Sequence, residues 1–74
     1  MTSEEYRDTL VSAARYANDM PYGYSADMAI TSHGFWLEVT DRRRLNHCTN
    51  RIVPFDDVGK LTDNMDQMVQ SLKG

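Results

Sequence analysis

Tyr6, Leu10, Ala13, Ala14 and Ala17 fall on one face of a helical repeat, so residues 3 to 18 read as an amphipathic helix. Thr2 is placed to cap it. Glu5, three positions on, completes a capping box, and Glu4 and Glu5 suit the positive end of the helix dipole. Three alanines on the apolar face predict close approach to whatever that face covers. The stretch NDMPYGYS ends the helix, because Pro21 and Gly23 favour a turn.

The period then drops to two. YSADMAIT sets Tyr24, Ala26, Met28 and Ile30 against Ser25, Asp27, Ala29 and Thr31, and FWLEVT sets Phe35, Leu37 and Val39 against Trp36, Glu38 and Thr40. Between these strands lies SHG, where a His33–Gly34 pair can supply the positive φ angles of a tight hairpin. CTNRIV, residues 48 to 53, is a third strand anchored by Ile52 and Val53. Pro54 stops it, having no N–H for a ladder. A second helix starts near residue 57, with Asp56 or Asp57 as its cap and Lys73 near its end. Val58, Leu61, Met65, Met68, Val69 and Leu72 form its apolar stripe; Gly59 is the misfit, at about 1 kcal/mol against alanine.

The order is α-β-β-β-α. It predicts an α+β fold with a three-stranded antiparallel sheet and two helices on one face, the stripes burying Met28, Ile30, Phe35, Leu37, Val39 and Ile52. The other face then shows Asp27, Ala29, Trp36, Glu38, Thr40, Arg51 and Val53. A tryptophan amid acids and an arginine has the composition of a binding-patch centre; the competing reading is that the long arginine or a loop side chain simply covers the indole, by packing or cation–π contact.

Residues 1–74 make one domain, and 41% hydrophobic with 26% charged residues is ordinary globular composition. So short a chain buries only about 60–65% of its unfolded surface, which predicts modest stability as a monomer or a homodimer. Cys48 is the only cysteine, the amino-terminal stretch is acidic and polar, and no apolar run is long enough for a bilayer. Together these predict a cytoplasmic protein that does not contact membranes.

The net charge of −3 hides a division. Residues 42–51 carry Arg42, Arg43, Arg44 and Arg51 and no acid; the rest of the chain carries all 11 acids and the other four bases. A basic patch on an acidic body predicts two surfaces with different preferences. In DRRRLNH the arginines can clamp phosphates or carboxylates, or they can form a solvated loop that pairs with Asp41. Glu4, Glu5, Asp8, Asp56, Asp57, Asp63 and Asp66 can imitate a row of phosphates, against the simpler roles of dipole complementarity and solubility.

Catalytic chemistry finds little support. His33, His47 and Cys48 do not match zinc spacings, no Gly-rich phosphate loop exists, and a Cys–His pair lacks an orienting third group. We therefore expect no enzyme activity, no cofactor and no metal. The methionines read as core filler.

The element order resembles the double-stranded-RNA-binding domain. That family contacts phosphates through a lysine-rich start to its second helix, and here the matching stretch is DDVGKLTD, with Lys60 its only base. The resemblance therefore argues against RNA binding. In size and charge the chain is similar to the small acidic phage proteins that act against host defences, anti-CRISPR inhibitors among them. That resemblance implies a non-enzymatic protein–protein interaction module, an inhibitor of a nucleic-acid-handling machine such as a CRISPR effector. Its partner would be a larger protein or ribonucleoprotein in the host cytoplasm. The alternative is a small nucleic-acid-associated regulator that binds phosphates through the arginine-rich loop.

Overall fold

The computed structural model of the chain describes residues 2–44 and 47–74; Met1, and Leu45 and Asn46 of the arginine stretch, lie outside the described residues. The first helix, α1, spans Ser3–Asn18, and Thr2 Oγ1 accepts from the Glu5 N–H at 3.1 Å as the capping pattern predicts. Its end is tied by the Asp19 N–H, which donates to the Arg15 carbonyl at 3.0 Å and to the Tyr16 carbonyl at 3.2 Å. Gly23 then turns the chain at φ +87°, a backbone state that side chains disfavour.

Strands β1 (Tyr24–Thr31) and β2 (Gly34–Asp41) form an antiparallel hairpin, and β3 (Cys48–Val53) adds to the far side of β2, giving the order β1-β2-β3. Ser32 and His33 make the turn, rather than His33 and Gly34. Thr31 Oγ1 accepts from the His33 N–H at 3.1 Å and donates to the Gly34 carbonyl at 2.9 Å. Gly34 opens β2 at φ +144°, and a Cβ there would collide with the Val53 carbonyl oxygen. The close approach of β3 to the start of β2 needs that glycine.

Residues directly opposite across a ladder share a face. Phe35 stands between Ile30 and Val53, Leu37 between Met28 and Arg51, and Val39 between Ala26 and Thr49. So β3 turns Val53 inward, where it is buried, and Ile52 outward, where it is 45% exposed. The expected assignment of Ile52 to the core, with Val53 and Arg51 on the open face, is reversed.

A 3-10 helix, η1, spans Phe55–Lys60 and leads into α2, Leu61–Lys73. Neither has a side-chain cap, so the expected roles of Asp56 and Asp57 do not hold, and the α-helix starts several residues later than predicted. Pro54, at φ −55°, accepts from the Asp57 N–H at 2.9 Å. The tight turn swings Phe55 onto Phe35, ring centroids 5.3 Å apart, and Val58 into the core. The whole predicted stripe from Val58 to Leu72 is buried.

Both helices lie on the Phe35–Leu37–Val39 face, α1 against β1 and α2 against β2 and β3. Ala13 is fully buried where α1 makes its closest approach, while Ala14, expected beside it, faces solvent. Ile30, expected in the core, is 70% exposed because it ends an edge strand beyond the cover of the helices.

Two substitutions check this packing by urea unfolding. Leu37→Ala removes a fully buried side chain and lowers stability by about 2–5 kcal/mol, whereas Ile30→Ala, at the exposed end of β1, costs less than half as much. Gly59→Ala raises stability by about 0.4–1 kcal/mol, because its Cβ meets nothing within 4 Å and its φ is not left-handed.

Candidate functional site: the uncovered sheet face and the arginine loop

With both helices on one side, neither helix covers the outer side of the sheet. Its register sorts the side chains into rows that cross all three strands. Ala29, Trp36 and Ile52 form an apolar row; Asp27, Glu38 and Asn50 form the next, polar row. Adjacent rows are about 7 Å apart. Trp36 is half-buried in this surface, Asp27 is exposed, and Glu38 is partly so. Among the described residues neither carboxylate has an ion-pair partner.

Arg51 does not join them. It projects to the helix side, where Nη1 donates to Asn64 Oδ1 at 2.9 Å and to Gln67 Oε1 at 3.0 Å, tying β3 to α2. The sequence places Trp36, Asp27 and Glu38 together correctly and Arg51 wrongly. Without Arg51, this face carries acids but, among the described residues, no base. The idea that Arg51 covers the indole falls with the same observation.

The arginine loop lies at the end of the sheet where β1 begins. Its organiser is Asp41, 1% exposed, an acid that the alternation assigns to the helix side. Asp41 Oδ1 accepts from the Arg43 N–H at 3.0 Å and from Arg43 Nε at 3.2 Å, and Arg43 Nη2 donates to the Tyr24 hydroxyl at 3.0 Å. The Arg43 guanidinium also lies over the Tyr24 ring, 5.0 Å from its centroid. Gly23 makes room for this, since a Cβ there would stand 2.6 Å from Arg43 Nε. Arg44 Nε comes within 3.8 Å of Asp41 Oδ2, and Arg42 makes no ion pair among the described residues. The three arginines therefore do not converge on one ligand. Arg43 holds the loop, Arg44 leans on the same acid, and Arg42 points its charge outward.

Burial pushes the Asp41 carboxyl up, but the Arg43 hydrogen bonds and the Arg43 and Arg44 charges outweigh it and hold the group below the usual carboxylate range. The hydrogen bond from Arg43 to Asp41, with the charge behind it, raises the guanidinium's own value.

The predicted acidic surface is divided. Glu4 and Glu5 sit in the first turn of α1, and Asp56 and Asp57 in η1, Asp57 lying 4.0 Å from Lys60. Asp8 lines a shallow depression where α1 meets η1. Asp63 and Asp66 line a groove of about 540 Å³ between α1 and α2, with Arg15, Tyr16 and Asp19. There the Tyr16 hydroxyl donates to Asp66 Oδ1 at 3.3 Å, and burial, then the Asp66 charge, raises the phenol's pKa. These acids do not form one row.

Two features escaped the sequence reading. Ile52 belongs to the Trp36 row, hidden because Ile52 and Val53 are both apolar and alternation cannot rank them. Tyr22 is 90% exposed and shares a concavity of about 250 Å³ with Gly23, Arg42 and Arg43; its neighbours Pro21 and Gly23 were the signal of an exposed turn. Among the described residues, no three of His, Cys, Asp and Glu gather as a metal site would require, and no helix is long and apolar enough to cross a membrane.

The chain matches no protein-family model, no curated protein and no solved structure.

Asp41→Asn tests the loop's organiser. The lowered carboxyl contributes stability above the ordinary aspartate value of about 3.9, and that contribution drains away as pH falls through its lower folded value. Wild type therefore loses stability more steeply than Asp41→Asn below about pH 4. Thermal midpoints from pH 2 to 7 read the difference; parallel curves would contradict it.

Proposed function

We propose that this chain is a non-enzymatic protein–protein interaction module that docks a larger protein, or the protein part of a ribonucleoprotein, on its open sheet face. The observation that carries this reading is the Ala29–Trp36–Ile52 row, an apolar strip that crosses a sheet face left uncovered by either helix. Interface energy concentrates on a few large anchors ringed by polar residues, and Trp36 between Asp27 and Glu38 on one side and solvent on the other has that form. The face and the helices are both acidic, so the fitting partner surface is basic. Basic surfaces of intracellular machines are commonly those that hold nucleic acid. The reading is then that of an inhibitor, competing with nucleic acid for such a surface, as in a CRISPR effector, in line with the resemblance in size and charge to phage anti-defence proteins.

A second reading is favoured by one observation. Tyr22 stands almost free beside Arg42, which makes no ion pair among the described residues, and an aromatic next to an arginine is how single-stranded nucleic acid is often held. The commitment of Arg43 to Asp41 weakens it by removing one of the charges.

The two readings part in experiment. With a partner isolated from host lysate and purified, Trp36→Ala lowers affinity at least tenfold, about 1.4 kcal/mol, while Arg42→Ala leaves it unchanged and the far-ultraviolet dichroism of both matches wild type. Unaltered affinity in Trp36→Ala would remove the sheet face. A mobility shift with single-stranded DNA or RNA at low salt, lost in Tyr22→Ala, would put the arginine loop in its place.

A further inference from the structure

We infer that the open sheet face is an arginine receptor: the Trp36 indole and the Asp27 and Glu38 carboxylates together take a guanidinium presented by an extended segment of a partner protein. This rests on the proposed docking through the same face and specifies what the partner brings to it.

Arg51 decides the charge of the outer face. Once that side chain is committed to Asn64 and Gln67 on the helix side, the outer face holds two carboxylates and, among the described residues, no cation. The carboxylates are not scattered. Asp27 and Glu38 are direct cross-strand partners, so their side chains rise side by side, and the Ala29–Trp36–Ile52 row runs parallel to them one step along the strands. A ligand bridging the two rows therefore needs a flat, apolar-tolerant surface to lie on the indole and hydrogen-bond donors that reach carboxylates about 7 Å away. Arginine supplies both on one side chain. Its guanidinium is planar and weakly hydrated, stacks on an aromatic face, and projects paired N–H groups toward carboxylates. Lysine supplies a charge but neither plane nor fork.

The charge distribution also selects among occupants. A second copy stacked face to face would set Asp27 and Glu38 against their own counterparts with no base between them. Nucleic acid would bring phosphates to the same two carboxylates. An arginine-bearing polypeptide is the occupant whose chemistry the rows complement. Ile52 and Ala29 extend the apolar strip to both edges of the sheet, which suits aliphatic residues flanking that arginine.

Trp36 is the chain's only tryptophan, so its fluorescence reports the site directly. The test titrates the full chain with a nona-arginine peptide and, separately, a nona-lysine peptide at about 0.15 M salt, where unspecific attraction is largely screened. The expected result is saturable quenching, with arginine binding at least tenfold tighter than lysine. Asp27→Asn with Glu38→Gln weakens arginine binding at least tenfold, while Asp8→Asn with Asp63→Asn, an equal charge change on the helical side, leaves it within twofold. Circular dichroism of each variant shows the fold kept. Equal affinity for the two peptides, equal loss in the two double variants, or binding without a change in Trp36 emission would overturn the inference. Self-association of the chain that Arg42→Ala abolishes would also overturn it, by making a second copy the occupant. If Trp36→Ala still weakens a purified partner while the arginine peptide fails to bind, docking on the face stands and the arginine assignment alone is lost.

Discussion

The two helical stripes have a single apolar surface on which to bury themselves, the alternating row Phe35, Leu37 and Val39 on the central strand, and most of what this molecule presents to others follows from that. Ala13 lets α1 come close, and Met65, Met68 and Val69 fill the space α2 leaves. Because all this volume lies on one side, the intervening residues of β2 have no helix above them. Trp36 and Glu38 are on the surface because Phe35 and Leu37 are inside. Neither helix crosses to the other side of the sheet, and the part of the indole left at that surface remains open to contact.

The division of charge is less simple than it reads along the chain. Four arginines close together in sequence are separated in space by the strand register and by one buried acid. Asp41 holds Arg43 and draws Arg44; α2 holds Arg51 through two neutral side chains. What remains as a free basic surface is small. The acids are dispersed over α1, η1, α2 and the open face, so the body is acidic on nearly every side and the arginine loop is chiefly a structural clasp that closes the end of the sheet over Tyr24.

Much of the fold is legible in the residues. The α1 limits, the Thr2 cap, the three strands and the apolar stripe of the last helix all follow from periodicity and capping chemistry, which are local. The misreadings share a cause, which is that they depend on tertiary register. Ile52 and Val53 are adjacent and both apolar, so only the close pass of Val53 over Gly34 decides which one turns inward, and Arg51 follows. Asp56 and Asp57 resemble helix caps, yet Phe55 is drawn to Phe35 and the chain enters α2 through a tighter turn. Asp41 reads as the first residue of a loop, and nothing local reveals that it is the most buried acid. Of the candidate site, Trp36, Asp27 and Glu38 were visible through simple alternation, whereas the apolar row that gives Trp36 its setting needed the third strand.

The half-buried indole shows one part of its surface on the outer sheet face, and there it has carboxylates, not guanidinium, for neighbours. Quenching of Trp36 emission by caesium, iodide and acrylamide, each referred to free N-acetyltryptophanamide, tests this central claim most directly. The account predicts ready access to acrylamide and a preference for caesium over iodide that vanishes when Asp27 and Glu38 are neutralised. An indole shielded from acrylamide, or one reached better by iodide, would contradict it.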